Sequence, residues 1–248
     1  MIPLDKELLE AAANGTSSDI ISLVQRGANV NVRDEDGLTP LHYVVEAGNK
    51  ELALLLITLG ASLECEDSRL RTPLHYAASE CNQEIVDFLL VRGASVGARD
   101  VKGSTPLHCA MVFGDQGVVI SLLKHGADVD AVDKEGLSVI HKSDNYCVES
   151  AFLTLVAYGG SSHRECLSHF DKFVGMSMRQ AAVKAGLVDR LKDLVENEPS
   201  LLYKDLPSAL LTMAIQSGQL EAAAFLQSHQ AAMAIDVITK KAQLVRAV

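Results

Sequence analysis

Apolar residues along this chain recur at the three- and four-residue spacing of an amphipathic helix. In "EIVDFLLVRGA", residues 84–94, the apolar positions are Ile85, Val86, Leu89 and Leu90. This spacing predicts a helix with one buried face. Gly93 follows, and a glycine at that place predicts the end of the helix, because glycine readily takes the left-handed closing conformation. Polar segments such as "NVNVRDEDG" and "SVGARDVKG" predict turns between the helices.

The same pattern returns at a fixed interval. The tetrapeptide TPLH begins at Thr39, Thr72 and Thr105, and a weaker copy, SVIH, begins at Ser138. Glycines keep the same 33-residue interval at Gly27, Gly60, Gly93, Gly126 and Gly159. Two independent sets of markers with one period predict a tandem array. The Thr-Pro pair predicts the start of a helix in each unit, since proline has its backbone angle already set for the first turn.

The chain resembles the ankyrin repeat family, whose unit of about 33 residues has a TPLH signature, two antiparallel helices and a turn. The resemblance is strongest over residues 15–160, with weaker copies in "KELLEAAANG", "GMSMRQAAVKAG" and "ALLTMAIQSG". It implies an all-α fold, an ankyrin-repeat solenoid of stacked helix-turn-helix units with short hairpin loops. It also implies that the signature histidines hydrogen-bond between neighbouring units; these are His42, His75, His108 and His141.

The array is predicted to hold about seven units, of which the first and the last two are degenerate. Residues 1–160 are predicted to be repeats 1 to 5, the first of them an N-terminal cap. Residues 161–176 are predicted to be an insertion or linker, because the step from Cys147 to Gly186 exceeds the period by six residues. Residues 177–248 are predicted to be two degenerate repeats and a C-terminal capping helix.

The residues between the framework positions differ from unit to unit, and they predict the binding face. Hairpin tips and first helices line the concave side of such a solenoid, where variable side chains do not hold the fold. Exposed aromatic residues suit binding anchors and charged residues suit a rim, although many of these side chains could simply be solvated. The predicted partner-binding residues are Arg33, Glu35, Asp36, Tyr43, Glu46, Arg69, Tyr76, Glu80, Arg99, Lys102, Val112, Phe113 and Tyr146.

Four of these residues are predicted to form an aromatic row. Tyr43 and Tyr76 are one period apart on adjacent first helices, and Phe113 and Tyr146 form a second such pair.

Composition narrows the class of partner. The formal net charge of −10 disfavours nucleic acid, whose phosphates need basic patches. Five cysteines without paired spacing favour reduced thiols in a cytoplasmic protein. The N-terminus lacks the pattern of a secretory signal, and no apolar run is long enough to span a bilayer. We therefore expect a cytoplasmic monomer with a protein partner and no cofactor.

Catalytic motifs are absent from the sequence. No GxxxxGK[ST], GxGxxG, HExxH or GxSxG string occurs, which favours a non-catalytic interaction module. The alternative is an enzyme or zinc-dependent protein that uses the insertion and the degenerate C-terminal region. His163, Cys166 and His169 recur every three residues there, and Cys147 or His141 could add a zinc ligand. Paired ligand spacings are missing, so no metal site is predicted.

The remaining alternatives concern origin and the C-terminal tail. Proteins of the resembled family occur in eukaryotes and in intracellular bacteria that deliver them into host cells. The degenerate C-terminal third favours a secreted bacterial effector that acts on host proteins in the host cytoplasm. The tail, residues 231–248, is predicted to cap the last repeat; the other interpretation is a basic amphipathic segment that docks on a membrane or a partner.

Overall fold

The structure is a computed structural model, and it describes residues 3–15, 17–143, 149–159, 177–197 and 207–228. The chain folds as two compact units, Met1–Ala151 and Phe152–Val248. Within the described ranges every regular element is helical, apart from one isolated antiparallel bridge between Val132 and Ser138. The predicted all-α class is therefore confirmed. The predicted domain boundaries at 160 and 176 stay predictions.

Helices follow one another in pairs along the chain. The helices of the first unit are α1 Pro3–Asn14, α2 Ser17–Gln25, α3 Pro40–Glu46, α4 Lys50–Thr58, α5 Pro73–Ser79, α6 Gln83–Val91, α7 Pro106–Phe113, α8 Gln116–Lys124 and the 3₁₀ helix Val139–Ser143. The helix α9, Glu149–Ala157, spans the boundary between the units. The second unit contains α10 Met178–Lys184, α11 Val188–Asn197 and α12 Pro207–Gln216, and residues 220–228 are also helical.

Each TPLH helix begins at its proline, as the sequence predicts. The second helix of each pair begins one residue after an Asn or Asp whose side chain accepts a backbone N–H. Asn49 accepts from the Leu52 amide at 3.0 Å, and Asp115 accepts from the Val118 amide at 2.8 Å. These caps satisfy amides that the helix itself leaves without a partner, and so they define where α4 and α8 start.

The fourth copy of the signature departs from the others. SVIH forms only the short 3₁₀ helix Val139–Ser143, where the sequence predicts the first helix of a full unit. Position 139 holds valine in place of proline, so the backbone angle of the first turn is not preset. The ring of His141 nevertheless keeps the local contact of the family signature, because its Nδ1 lies 2.7 Å from Ser138 Oγ.

The core of the first unit is formed between neighbouring pairs. First helices pack on first helices, from α1 to α3, α5 and α7, and second helices pack on second helices from α4 to α6 and α8. Leu41, Leu74 and Leu107 are fully buried, one in each TPLH helix. A single helix pair cannot bury its own apolar face, so stacking supplies the core.

Signature histidines join each pair to the next. His42 Nε2 donates to the Arg71 carbonyl at 3.0 Å, and His75 Nε2 donates to the Ser104 carbonyl at 3.2 Å. Since a carbonyl oxygen can only accept, Nε2 carries the proton and Nδ1 is the acceptor. Nδ1 of His75 accepts from the backbone N–H of Thr72 at 3.1 Å. The predicted bonds between units are therefore confirmed.

The second unit keeps only some of these features. Ser177 and Gln180 form a capping box at the start of α10, with bonds of 2.9 and 3.3 Å. Gly186 ends the first helix with a φ of +72°, which a glycine adopts without strain. The predicted insertion at 161–176 and the C-terminal tail lie outside the described residues.

Candidate protein-binding face

Four hairpin tips project from the first unit, and a buried or half-buried aspartate builds each of them. The tips are residues 34–37, 67–70, 100–103 and 133–136. In the first, Asp34 Oδ1 accepts the backbone N–H groups of Asp36 and Leu38 at 2.9 and 2.8 Å. The same pair of bonds recurs one period later each time, at Asp67, Asp100 and Asp133. A regular aspartate therefore fixes the backbone of every tip.

Backbone hydrogen bonds join the tips into one continuous row. The Ser68 N–H donates to the Asp36 carbonyl, and the Val101 N–H donates to the Arg69 carbonyl, both at 2.8 Å. A third bond of the same kind joins the third tip to the fourth. The approach is close, because a Cβ added at Gly37 would lie 2.8 Å from the Ser68 nitrogen. This row of hairpin tips is the most regular surface of the first unit.

Two predicted partner-binding residues also hold adjacent hairpins together. The guanidinium of Arg33 donates to the Glu66 carbonyl of the next hairpin. Arg99 Nη1 donates to the Val132 carbonyl at 2.7 Å, likewise in the next hairpin. Both side chains are exposed. They therefore have a structural role that the sequence did not predict, and their contact with a partner stays a prediction.

Tyr76 is not an exposed anchor, and this expectation is wrong. Its side chain is only 7 % exposed. The hydroxyl donates to Asp67 Oδ2 at 2.8 Å, and the Arg71 guanidinium lies 4.3 Å from the ring centroid. Burial, followed by the bond to Asp67, raises the pKa of Tyr76. The aspartate of its own hairpin reaches this position, so the tyrosine packs inward.

Tyr43 makes the same bond one period earlier, and it is half-buried. Its hydroxyl donates to Asp34 Oδ2 at 2.6 Å, which raises the pKa of Tyr43 to about 12. Tyr146 lies outside the described residues. The predicted aromatic row is therefore reduced to Phe113, whose ring is 58 % exposed. Its neighbour Val112 is also exposed.

The charged residues predicted for the rim are exposed. They are Glu35, Asp36, Glu46, Arg69, Glu80 and Lys102. The sequence analysis missed two apolar side chains among them. Leu70 on the second tip and Val101 on the third are 42 % and 41 % exposed. The face made by the hairpin tips and the exposed ends of the first helices, α3, α5 and α7, is called the binding face below.

Leu70 and Cys81 are the non-glycine residues with positive φ in the described part of the chain, at +59° and +53°. One period away on either side, the position of Leu70 is occupied by Gly37 and Gly103. The left-handed region costs a residue with a Cβ about 1 kcal/mol or more, and such strain concentrates at functional sites. Both residues belong to the same unit, which marks it within the binding face. A missing glycine in the 33-residue frame was the signal available in the sequence.

Replacing Leu70 by glycine is expected to raise the free energy of unfolding by about 0.5–1 kcal/mol. Relief of the left-handed strain exceeds the entropy that glycine loses on folding, and the side chain buries little surface. Urea unfolding followed by circular dichroism measures the change. Gly103→Ala is the matched control and should destabilise, because its Cβ would lie 3.0 Å from the Lys134 nitrogen. A loss of stability in the Leu70→Gly variant would contradict the assignment of strain.

Two other predicted features were examined on the same residues. Within the described ranges, no cluster of three or more His, Cys, Asp or Glu side chains could hold a metal ion. His163, Cys166, His169 and Cys147 lie outside those ranges, so the zinc and nucleophile hypotheses stay predictions. Among the helices of the described ranges, none is long and apolar enough to cross a lipid bilayer.

Comparison with known proteins gives a consistent result. Family models for ankyrin repeats match residues 8–100, in three copies, and residues 102–134. The chain is also similar to the "Ankyrin repeat and LEM domain-containing protein 1 homolog" of Caenorhabditis elegans, with 48 % identity over 50 residues. That match covers 20 % of this chain and 7 % of the relative. The chain therefore spans a small part of the relative's length.

Proposed function

Because this chain belongs to the ankyrin repeat family, we propose that it is a non-catalytic adaptor that binds a protein partner on the binding face of its first unit. This face was predicted from the sequence as the concave side of the solenoid. The observation that supports the proposal most is the exposed ring of Phe113 at the end of α7. Phe113 is the one exposed Phe or Tyr among the described residues.

An exposed aromatic ring on a rigid scaffold suits a binding anchor. Aromatic side chains bury a large area at a low cost in conformational entropy, and they are enriched among the residues that dominate binding energies. The scaffold below the binding face is held by the hydrogen bonds between tips and by the histidine bonds between units. Little backbone freedom remains to be lost on binding, so a few contacts can supply the affinity.

Phe113→Ala is expected to weaken partner binding by about 2 kcal/mol, roughly 30-fold, because a central aromatic anchor contributes energy of that order. The partner is first captured from a eukaryotic lysate with the wild-type protein, identified by mass spectrometry and purified. Isothermal titration calorimetry then measures the affinity of each variant, and circular dichroism checks that Tm is unchanged.

The matched control is Val91→Ala at the end of α6, a second helix. Val91 is 75 % exposed, so its truncation removes an exposed apolar side chain from outside the binding face. We expect its affinity to equal that of the wild type. A variant pattern in which Val91→Ala weakens binding and Phe113→Ala does not would place the partner on the second helices and overturn the proposal.

We also propose that the protein acts in the cytoplasm as a monomer. If the chain is a secreted bacterial effector, the compartment is the host cytoplasm and the partner is a host protein. The alternative of an enzyme or zinc-dependent protein rests on residues 141–176, of which residues 144–148 and 160–176 lie outside the described residues.

A further inference from the structure

Free charges change sign along the row of hairpin tips. The first tip presents two carboxylates, Glu35 and Asp36, whereas the second presents Arg69 and the third presents Lys102. All four side chains are exposed, and none forms an ion pair with another residue in the described part of the chain. Charges left unpaired within the protein are available to a partner.

The two basic tips also carry the exposed apolar side chains Leu70 and Val101. The Val101 N–H donates to the Arg69 carbonyl at 2.8 Å, so these tips are in direct contact. The row thus combines one acidic tip with two adjacent tips that each pair an apolar side chain with a basic one. The fourth tip carries both signs, Lys134 and Glu135, and Lys134 Nζ donates to the Val101 carbonyl at 2.9 Å.

A cavity of about 540 Å³ extends the acidic end of the row. The first hairpin, residues 34–36, and the α1 residues Lys6, Leu9 and Glu10 line it. Lys6 lies 3.9 Å from Glu10, and the other three carboxylates of the lining belong to the hairpin. A Lys or Arg side chain could lie with its methylene groups on Leu9 and its charged group among these carboxylates.

We propose that the row of hairpin tips binds an extended segment of the partner protein that is basic at one end and both apolar and acidic at the other. The basic end lies over the first tip and its cavity, and the apolar and acidic end lies over the second and third tips. Charge complementarity assigns the occupant: opposite ends of one segment meet opposite charges along one row. This inference rests on the proposed function and specifies the chemistry of its partner.

Three fluorescent peptides of about 12 residues, roughly 40 Å when extended, test the inference by fluorescence anisotropy. The dipolar probe has two Lys at one end, two Leu and two Glu at the other. The double-basic and double-acidic probes carry the same Leu pair with one sign of charge at both ends. We expect the wild-type protein to bind the dipolar probe about fivefold tighter than either of the others at low salt, because several exposed ion pairs each contribute up to about a factor of five.

Charge reversal should change the preference in opposite directions. Glu35→Lys with Asp36→Lys is expected to favour the double-acidic probe, and Arg69→Glu with Lys102→Glu is expected to favour the double-basic probe. The matched control is Glu51→Lys with Asp87→Lys on the second helices, which changes the net charge equally and should leave the dipolar preference intact. The preference should shrink between about 50 mM and 500 mM salt, since screening weakens exposed pairs.

Several outcomes would overturn the inference. Preference of the wild type for the double-basic probe would show that only the net charge acts, as would an equal shift in the control variant. Reversible dimerisation that either tip reversal abolishes would show that the occupant is a second copy of this chain. If a captured partner depends on Phe113 while the dipolar preference is missing, this inference fails and the proposed function stands. If Phe113 has no effect on a captured partner, the proposed function itself fails.

Discussion

Replacing His75 by alanine is expected to lower the free energy of unfolding by about 4 kcal/mol. The ring is fully buried between two units. Its removal leaves the Ser104 carbonyl and the Thr72 amide without their partner, and each such buried group costs about 1–3 kcal/mol. A cavity adds to the loss, since the surrounding side chains relax only in part. Urea unfolding of wild type and variant, followed by circular dichroism, measures the difference.

His125→Ala is the matched control for this prediction. His125 is exposed at the end of α8, where its Nδ1 lies 2.9 Å from the Ser121 carbonyl. Its replacement should change the free energy of unfolding by less than about 0.5 kcal/mol. Equal losses in the two variants would show that the signature histidine contributes no more than a surface residue, and the role of the bond between units would have to be abandoned.

The pH dependence of stability gives a second readout of the same histidines. Burial lowers the pKa of His75 and that of His42, against weaker opposing effects of their backbone bonds. The folded state therefore binds fewer protons than the unfolded state, and stability falls as the pH drops below about 6.5. The slope is at most about 1.4 kcal/mol per pH unit for each histidine. The His75→Ala variant should lose part of this slope between about pH 7.5 and 5.5.

The period and the framework residues made most of the fold of the first unit predictable. A 33-residue interval of TPLH and glycine requires helix pairs at fixed places, and the structure has α3, α5 and α7 there. The exception is the copy at Ser138, where the loss of proline reduces the first helix to a 3₁₀ helix. Local sequence chemistry thus determines whether each copy of the pattern forms a full helix.

The candidate site was less predictable, because burial of a variable position depends on its neighbours in space. Tyr43, Tyr76 and Phe113 looked alike in the sequence as aromatic residues outside the framework. Their fates differ because the hairpin aspartates Asp34 and Asp67 lie within hydrogen-bond reach of the two tyrosines, whereas Phe113 has no polar group to bond. Periodicity reveals which residues hold equivalent positions, but not which of those positions face solvent.

The backbone strain at Leu70 could have been found from the sequence. The frame that predicts glycine at the equivalent positions Gly37 and Gly103 also shows that glycine is missing at 70. The same comparison exposes Cys81, which replaces the glycine found at Gly48 and Gly114. A departure from a strict repeat carries more information about function than the repeat itself, because the fold alone gives no reason for it.

Asp67→Ala is expected to lower the free energy of unfolding by about 4 kcal/mol, because one buried carboxylate supports both the hairpin and the first helix. Its Oδ1 accepts the amides of Arg69 and Arg71 at 2.8 Å each. Its Oδ2 accepts the Tyr76 hydroxyl at 2.8 Å and Arg71 Nε at 2.9 Å. Burial alone would raise the pKa of Asp67, but these bonds together hold it below its usual value. Hydrogen bonds to a charged acceptor contribute about 1.5–3 kcal/mol each, and losing several of them leaves buried donors unpaired.

The matched control for Asp67 is Asp100→Ala, one period later. Asp100 Oδ1 accepts the equivalent two amides, from Lys102 and Ser104, at 2.9 and 2.8 Å. The residue one period after Tyr76 is a cysteine, so the tyrosine bond has no counterpart there. We expect Asp100→Ala to cost about 2 kcal/mol, and Tyr76→Phe, which removes one hydroxyl, to cost about 1 kcal/mol. Equal losses for the two aspartates in urea unfolding would show that the bonds to Tyr76 and to the Arg71 side chain contribute nothing, and that the inward packing of Tyr76 is held by its ring alone.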